Sequence, residues 1–190
     1  IWQNTSLLYI SSPGNPTGAV VGMESLKALI EKARKYNFVL CSDECYSELY
    51  FDENEPPCGI LQAAFEMGGA HGASKDDLQT DIFKNCLAFH SLSKRSSLPG
   101  MRSGFVAGDA ALIETFRLYR TYHGSAMSPP YQAASTVAWQ DEEHVRANRA
   151  LYREKFAATH AILSEAMDLT IPAGAFYYWL RTPCDDADFA

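Results

Sequence analysis

Lys94 sits in the run Ser91-Leu92-Ser93-Lys94-Arg95-Ser96-Ser97-Leu98-Pro99-Gly100-Met101-Arg102-Ser103-Gly104-Phe105, just after the apolar stretch Cys86-Leu87-Ala88-Phe89-His90. A lysine placed where a buried strand gives way to a tight loop of hydroxyls and glycines is unlike a solvated surface lysine. Its amine, kept neutral, can form a Schiff base with an aldehyde cofactor. Ser91, Ser93 and Arg102 around it are good partners for a phosphate, since arginine offers a planar fork and serine a neutral donor. Lysine, hydroxyls and arginine together point to pyridoxal 5'-phosphate. Gly100 and Gly104 read as backbone devices for close approach.

Two upstream segments have the same form, a polar cluster at the end of a short apolar strand. Ser12-Pro13-Gly14-Asn15-Pro16-Thr17-Gly18 follows Leu7-Leu8-Tyr9-Ile10, and Ser42-Asp43-Glu44-Cys45-Tyr46 follows Phe38-Val39-Leu40-Cys41. Open α/β sheets place ligands at such strand ends. Each residue also has an ordinary alternative. Asp43 could be a helix N-cap, Tyr46 a half-buried tyrosine, and Asn15 a turn residue, because Pro-Gly-Asn-Pro favours turns.

Asn-Pro-Thr-Gly, then Asp-Glu-x-Tyr, then Ser-x-Ser-Lys with an arginine eight residues later resembles the class I/II aminotransferases, pyridoxal phosphate enzymes of fold type I. The resemblance covers essentially the whole chain. The longer string from Ser91 to Asp109, and Tyr119-Arg120-Thr121-Tyr122-His123-Gly124-Ser125-Ala126-Met127-Ser128-Pro129-Pro130, are most similar to the succinyldiaminopimelate aminotransferases.

The resemblance implies roles. Lys94 holds the cofactor as a Schiff base and then serves as the base that moves a proton between substrate Cα and cofactor C4'. Asp43 pairs with the pyridine nitrogen and keeps it protonated; Glu44 is the weaker candidate, because the family role belongs to the first acid. Tyr46 and Asn15 contact the cofactor's 3'-oxygen. Ser91 and Arg102 hold the phosphate, with Ser93 adding a hydroxyl. Asn15-Pro16 is expected to be a cis peptide.

In dicarboxylate-specific relatives an arginine precedes a Ser-Asn-Pro-Pro-like segment. Here the region reads Tyr122-His123-Gly124, then Ser128-Pro129-Pro130, which counts against an aspartate aminotransferase and leaves His123 as a structural residue. The activity implied is transamination, with N-succinyl-LL-2,6-diaminopimelate and 2-oxoglutarate as the substrate pair in lysine biosynthesis. Another class I aminotransferase or a β-eliminating lyase would use the same scaffold. A non-enzymatic regulatory domain with this fold is the alternative of a different class.

Apolar periodicity predicts strands at Leu7 to Ser11, Phe38 to Ser42, Cys86 to His90 and Ser103 to Ala107. It predicts helices at Met23 to Tyr36, Pro56 to Met67, Ala110 to Tyr122, Pro130 to Gln140 and Glu142 to Ala166. The first strand should be buried. Strand–helix–strand order implies a right-handed crossover and parallel pairing. Gly68 to Asp81 reads as a surface excursion, and Ala175 to Leu180 as a strand of a second domain. The expected architecture is therefore α/β. Residues 1–141 form part of a large domain with a mainly parallel sheet flanked by helices, and residues 142–190 form an interdomain helix and the start of a smaller α+β domain.

With 190 residues, 47% hydrophobic and 21% charged, the chain can bury a core. A net charge of -7 argues against general nucleic-acid binding. No apolar run approaches the ~20 residues of a membrane span. Ile1-Trp2-Gln3-Asn4 has the form of no signal peptide. Cysteines 41, 45, 58, 86 and 184 fit no zinc or disulfide framework, so no metal and a reducing cytoplasm are expected. Cys41 and Cys86 read as small core residues. Similar enzymes carry a glycine-containing phosphate loop and a ring-stacking aromatic before this stretch and a carboxylate-binding arginine after it, and Arg181 is too near the predicted last strand to substitute. The chain is therefore expected to be an internal fragment of a homodimeric enzyme acting on small amino and 2-oxo acids.

Overall fold

Four strands run side by side in the order β1 (Leu7–Ser11), β2 (Val39–Asp43), β3 (Cys86–Ser91) and β4 (Gly104–Gly108) in the computed structural model, which describes residues 1–69 and 82–189. β1 and β2 pair in parallel, from Leu7 against Val39 to Ser11 against Asp43. β2 and β3 are also parallel, with Leu40 against Cys86 and Asp43 against Phe89. The crossover between β1 and β2 is α1 (Met23–Tyr36), as the sequence pattern predicts.

α1 forms because Leu26, Ile30 and Ala33 recur at helical spacing and are all buried. Glu24 in its first turn and Arg34 and Lys35 in its last complement the helix dipole. Asn37 ends it in the left-handed region (φ 54°), its N–H donating to Ala33 O. α2 (Ile60–Gly69) packs beside α1 on the same sheet face. Their core holds Leu26, Ile30, Phe38, Leu40, Ile60, Ala63, Cys86 and Ala88. Cys41 and Cys86 are buried, as expected of small core residues.

Two expectations, on β1 and on Ala175 to Leu180, are corrected. β4 runs antiparallel to β3, with Ser91 opposite Gly104 and Leu87 opposite Gly108, so the mainly parallel sheet carries one antiparallel strand. The connection between them is used by the short α3 (Leu92–Arg95) and a 3-10 turn at Pro99–Met101, and carries no crossover helix long enough to return the chain in parallel. β1 is not buried on both faces. Leu7 is 49% and Tyr9 63% exposed, because α1 and α2 cover the opposite face and β1 lies at the sheet edge. Ala175 to Leu180 is not a strand: Gly174 makes one isolated antiparallel bridge with Tyr50, and the chain beyond it has no ladder partner among the described residues.

The remaining helices are α4 (Ala110–Tyr122), α5 (Pro129–Gln140), α6 (Glu143–Leu163) and α7 (Asp186–Phe189). The predicted surface excursion lies mostly at residues 70–81, outside the described residues. No described helix is long and apolar enough to cross a membrane.

Candidate active site

Because β1, β2 and β3 are parallel, their C-terminal ends share one edge of the sheet, and the three polar segments emerge there together. After β1 the chain turns through two cis peptides, Ser12-Pro13 and the expected Asn15-Pro16. The turn is tied by Gly18 N–H to Gly14 O (2.7 Å) and Gly14 N–H to Ala19 O (2.8 Å). Gly18 has φ +66°, and a Cβ there would lie 2.5 Å from Gly174 O, so the turn accepts the later segment only as glycine. Asn15 is exposed.

After β2, two adjacent acids take different environments. Asp43 is half-buried and accepts from Cys45 N–H at 3.0 Å. Glu44 points the other way, as alternation along a strand requires, and is only 5% exposed. Its carboxylate accepts from the first N–H of α2, Ile60, at 2.7 Å and lies 3.2 Å from His90 Nε2. Glu44 is thus a helix cap and core partner. Burial, followed by the Asp43 carboxylate, pushes the Cys45 thiol up to about 12, so it is no nucleophile at neutral pH.

Tyr46 is buried, and its hydroxyl lies 2.9 Å from that of Tyr177. Burial first, then the Tyr177 hydroxyl and the Asp43 charge, raise the Tyr46 phenol well above its ordinary value.

After β3, Ser91 caps α3, its Oγ accepting from Ser93 N–H at 3.1 Å and lying 2.9 Å from Ser93 Oγ. The Ser91 hydroxyl is also 3.2 Å from Ser103 O. The cap turns Lys94 toward the aromatic rings. Its Nζ lies 5.8 Å from the Tyr46 ring centre and 5.1 Å from that of Phe176. Among the described residues Lys94 makes no ion pair, and its amine lies against ring faces.

Arg95 fastens this helix from behind. Its buried guanidinium donates to Ala138 O (2.9 Å), pairs with Glu142 and lies 5.1 Å from the Trp139 ring centre. Asn148 of α6 adds a bond to Lys94 O at 3.4 Å.

The structure therefore gathers Lys94, Tyr46, Asp43, Ser91 and Ser93 at one sheet edge. Asn15 and Arg102 are exposed, and among the described residues no hydrogen bond joins either to this group. Arg102 is exposed and donates to Pro99 O at 2.8 Å, lining a cleft of about 660 Å³ with Arg117 and Arg120 of α4. The donor set suits pyridoxal phosphate: an unpaired amine, a carboxylate, a phenol and a pair of hydroxyls at a helix start.

Sequence reasoning treated Phe176 and Tyr177 as strand residues and missed that they meet Lys94 and Tyr46. The available signal was the aromatic run Phe176-Tyr177-Tyr178-Trp179 after Gly174, since a buried tyrosine hydroxyl needs a partner. Tyr152 of α6 stacks on Phe176 at 5.6 Å and 13° and holds that ring in place.

The family profile described as aminotransferase class I and II matches residues 2–189. A crystal structure of an aminotransferase from Neisseria meningitidis superposes with a TM-score of 0.84 at 49% identity, covering 96% of this chain and 43% of that one. A probable aminotransferase of Mycobacterium tuberculosis is 35% identical over 188 residues, 97% of this chain and 41% of the relative. An LL-diaminopimelate aminotransferase of Nitratidesulfovibrio vulgaris is 30% identical over 96% of this chain and 43% of its own length. The chain thus spans 41% and 43% of the curated relatives it matches.

Proposed function

This chain belongs to the class I and II aminotransferases, and from that premise we propose that the full-length protein moves an amino group between an amino acid and a 2-oxo acid, using the pyridoxal phosphate on which the family depends. The observation that carries the reading is Lys94, which makes no ion pair among the described residues and holds its Nζ 5.8 Å from the Tyr46 ring centre and 5.1 Å from that of Phe176. When bound, the cofactor supplies a protonated pyridine ring able to take up the charge left at a substrate's Cα.

The protein's own residues divide the remaining tasks. Lys94 Nζ would hold the cofactor and, once released, would carry the proton that leaves or reaches Cα. Asp43 would keep the pyridine nitrogen protonated. Tyr46 would give a hydrogen bond to the cofactor's 3'-oxygen, with Asn15 as a second contact. Ser91 and Ser93 would offer hydroxyls to the phosphate, and Arg102 would add its charge.

We assign the substrates to N-succinyl-LL-2,6-diaminopimelate and 2-oxoglutarate, in lysine biosynthesis. The run from Ser91 to Asp109 supports this, and so does the diaminopimelate named for a relative at 30% identity. Residues 1–141 belong to the cofactor-binding domain and residues 142–190 to the interdomain helix and the start of a smaller one, in a cytoplasmic homodimer.

The test is steady-state turnover by the full-length protein with candidate donors and 2-oxoglutarate. Glutamate formation is expected. Pyruvate and ammonia without glutamate would mark a lyase and overturn the reading.

A further inference from the structure

The Tyr46 hydroxyl has one proton to give and can accept two. It is buried, and the hydroxyl 2.9 Å away belongs to Tyr177, distant by 131 positions in sequence. Two phenols at this distance share one hydrogen bond, and its direction decides where the free proton points.

Tyr177 is not a loose side chain. Ala175 is fully buried, with φ 65°, and donates to Leu49 O at 2.8 Å, while Gly174 N–H donates to Gly18 O at 3.2 Å. These bonds pin the segment to the turn after β1 and to the loop after β2. Phe176 stands edge-on to Tyr46 (5.3 Å, 68°), and the Tyr177 ring meets Tyr46 at 6.0 Å and 60°. Four titratable groups face Tyr46: Asp43, Cys45, Lys94 and Tyr177. Cys45 stays a thiol. Lys94 meets the Tyr46 ring and Asp43 acts through its charge, so Tyr177 alone has a hydrogen bond to the Tyr46 hydroxyl among the described residues.

Resting on the cofactor reading above, we propose that Tyr177 is a positioning residue whose hydroxyl donates to Tyr46 and so commits the Tyr46 proton to the cofactor's 3'-oxygen. A hydrogen bond received by Tyr46 polarises its own O–H and strengthens the bond it gives. The segment that begins beyond α6 thereby tunes the cofactor without touching it.

The experiment is a pH titration of the visible absorbance of the full-length, cofactor-loaded protein. Tyr177→Phe keeps the ring and its packing and removes only the hydroxyl. The absorbance midpoint is expected to rise by roughly half a unit to one unit, the equivalent of one ordinary hydrogen bond. In a Tyr46→Phe background the same substitution is expected to move the midpoint no further. An unmoved midpoint in Tyr177→Phe, or equal shifts in both backgrounds, overturns the role of Tyr177 and leaves the cofactor reading standing. Absence of any cofactor band in the unaltered protein overturns both.

Discussion

Asp43 and Glu44 are adjacent carboxylates with opposite duties, because a strand sends successive side chains to opposite faces. Asp43 opens to the site edge, while Glu44 caps α2 through Ile60 N–H and meets His90. Asp43→Asn in the full-length protein is therefore expected to cost several decades of kcat, each ~1.4 kcal/mol of barrier, with thermal stability little changed. Glu44→Gln keeps an acceptor for Ile60 but loses the charge, so about 1 kcal/mol of stability is expected to go and less than a decade of kcat. Melting curves beside steady-state rates separate the two, and equal mild losses of rate would refute the role of Asp43. Lys94→Ala is expected to abolish the borohydride-fixable cofactor signal. Label recovered on Lys84 by peptide mapping would show the wrong lysine had been chosen.

Among the elements, α6 is the one tied most strongly by charge. Arg149 is buried with its guanidinium 2.9 Å from Glu48 and 3.1 Å from Glu53, and 4.3 Å from the Tyr50 ring centre. Arg153 joins Glu53 at 2.6 Å. This clasp holds α6, and with it Tyr152 and Phe176, against the loop that follows Tyr46. Arg149→Met leaves Glu48 without its cation and Glu53 with Arg153 alone, and is expected to cost about 2 kcal/mol in chemical unfolding, a magnitude limited by the partial exposure of both glutamates. Arg149 first, then Arg153, pulls the Glu53 carboxyl down to about 2. A carboxyl lowered on folding stabilises above its unfolded pKa of roughly 4.3 and loses that contribution as pH falls toward the folded value. The melting temperature of the unaltered protein is expected to drop across that window, and Glu53→Gln to flatten the drop. An unchanged slope would show that the clasp contributes nothing.

At the scale of the molecule, the outward face of β1 and much of α4 are apolar and open. Tyr9 is 63%, Leu118 63% and Tyr122 84% exposed. Exposed faces of this kind bind other apolar surfaces. Purified alone, the 190-residue chain is expected to self-associate and to bind hydrophobic dyes, as light scattering and fluorescence would report. It is also expected to turn over no amino acid. Asn15 and Arg102 stand in water, and substrate positioning can carry ~7 kcal/mol or more of a barrier. Measurable turnover by the chain purified free of longer forms would overturn this.

Local chemistry alone specified much of this protein. α1 spans Met23–Tyr36 as read, because its apolar spacing, charged ends and Asn37 stop all act within a few residues. β1 spans Leu7–Ser11 for a similar reason, and the polar clusters at Asn15, Asp43 and Lys94 were visible because each follows a short apolar run. What the sequence could not determine was which particular side chains, distant along the chain, would meet. The antiparallel direction of β4, the bare face of β1, the capping duty of Glu44, the clasp of Arg95 and the Tyr46–Tyr177 contact all depend on which element lies beside which. A periodicity shows that a residue faces inward. Only the packed structure shows what it meets there, because the partner of Tyr46 lies 131 positions away and no local preference encodes that distance.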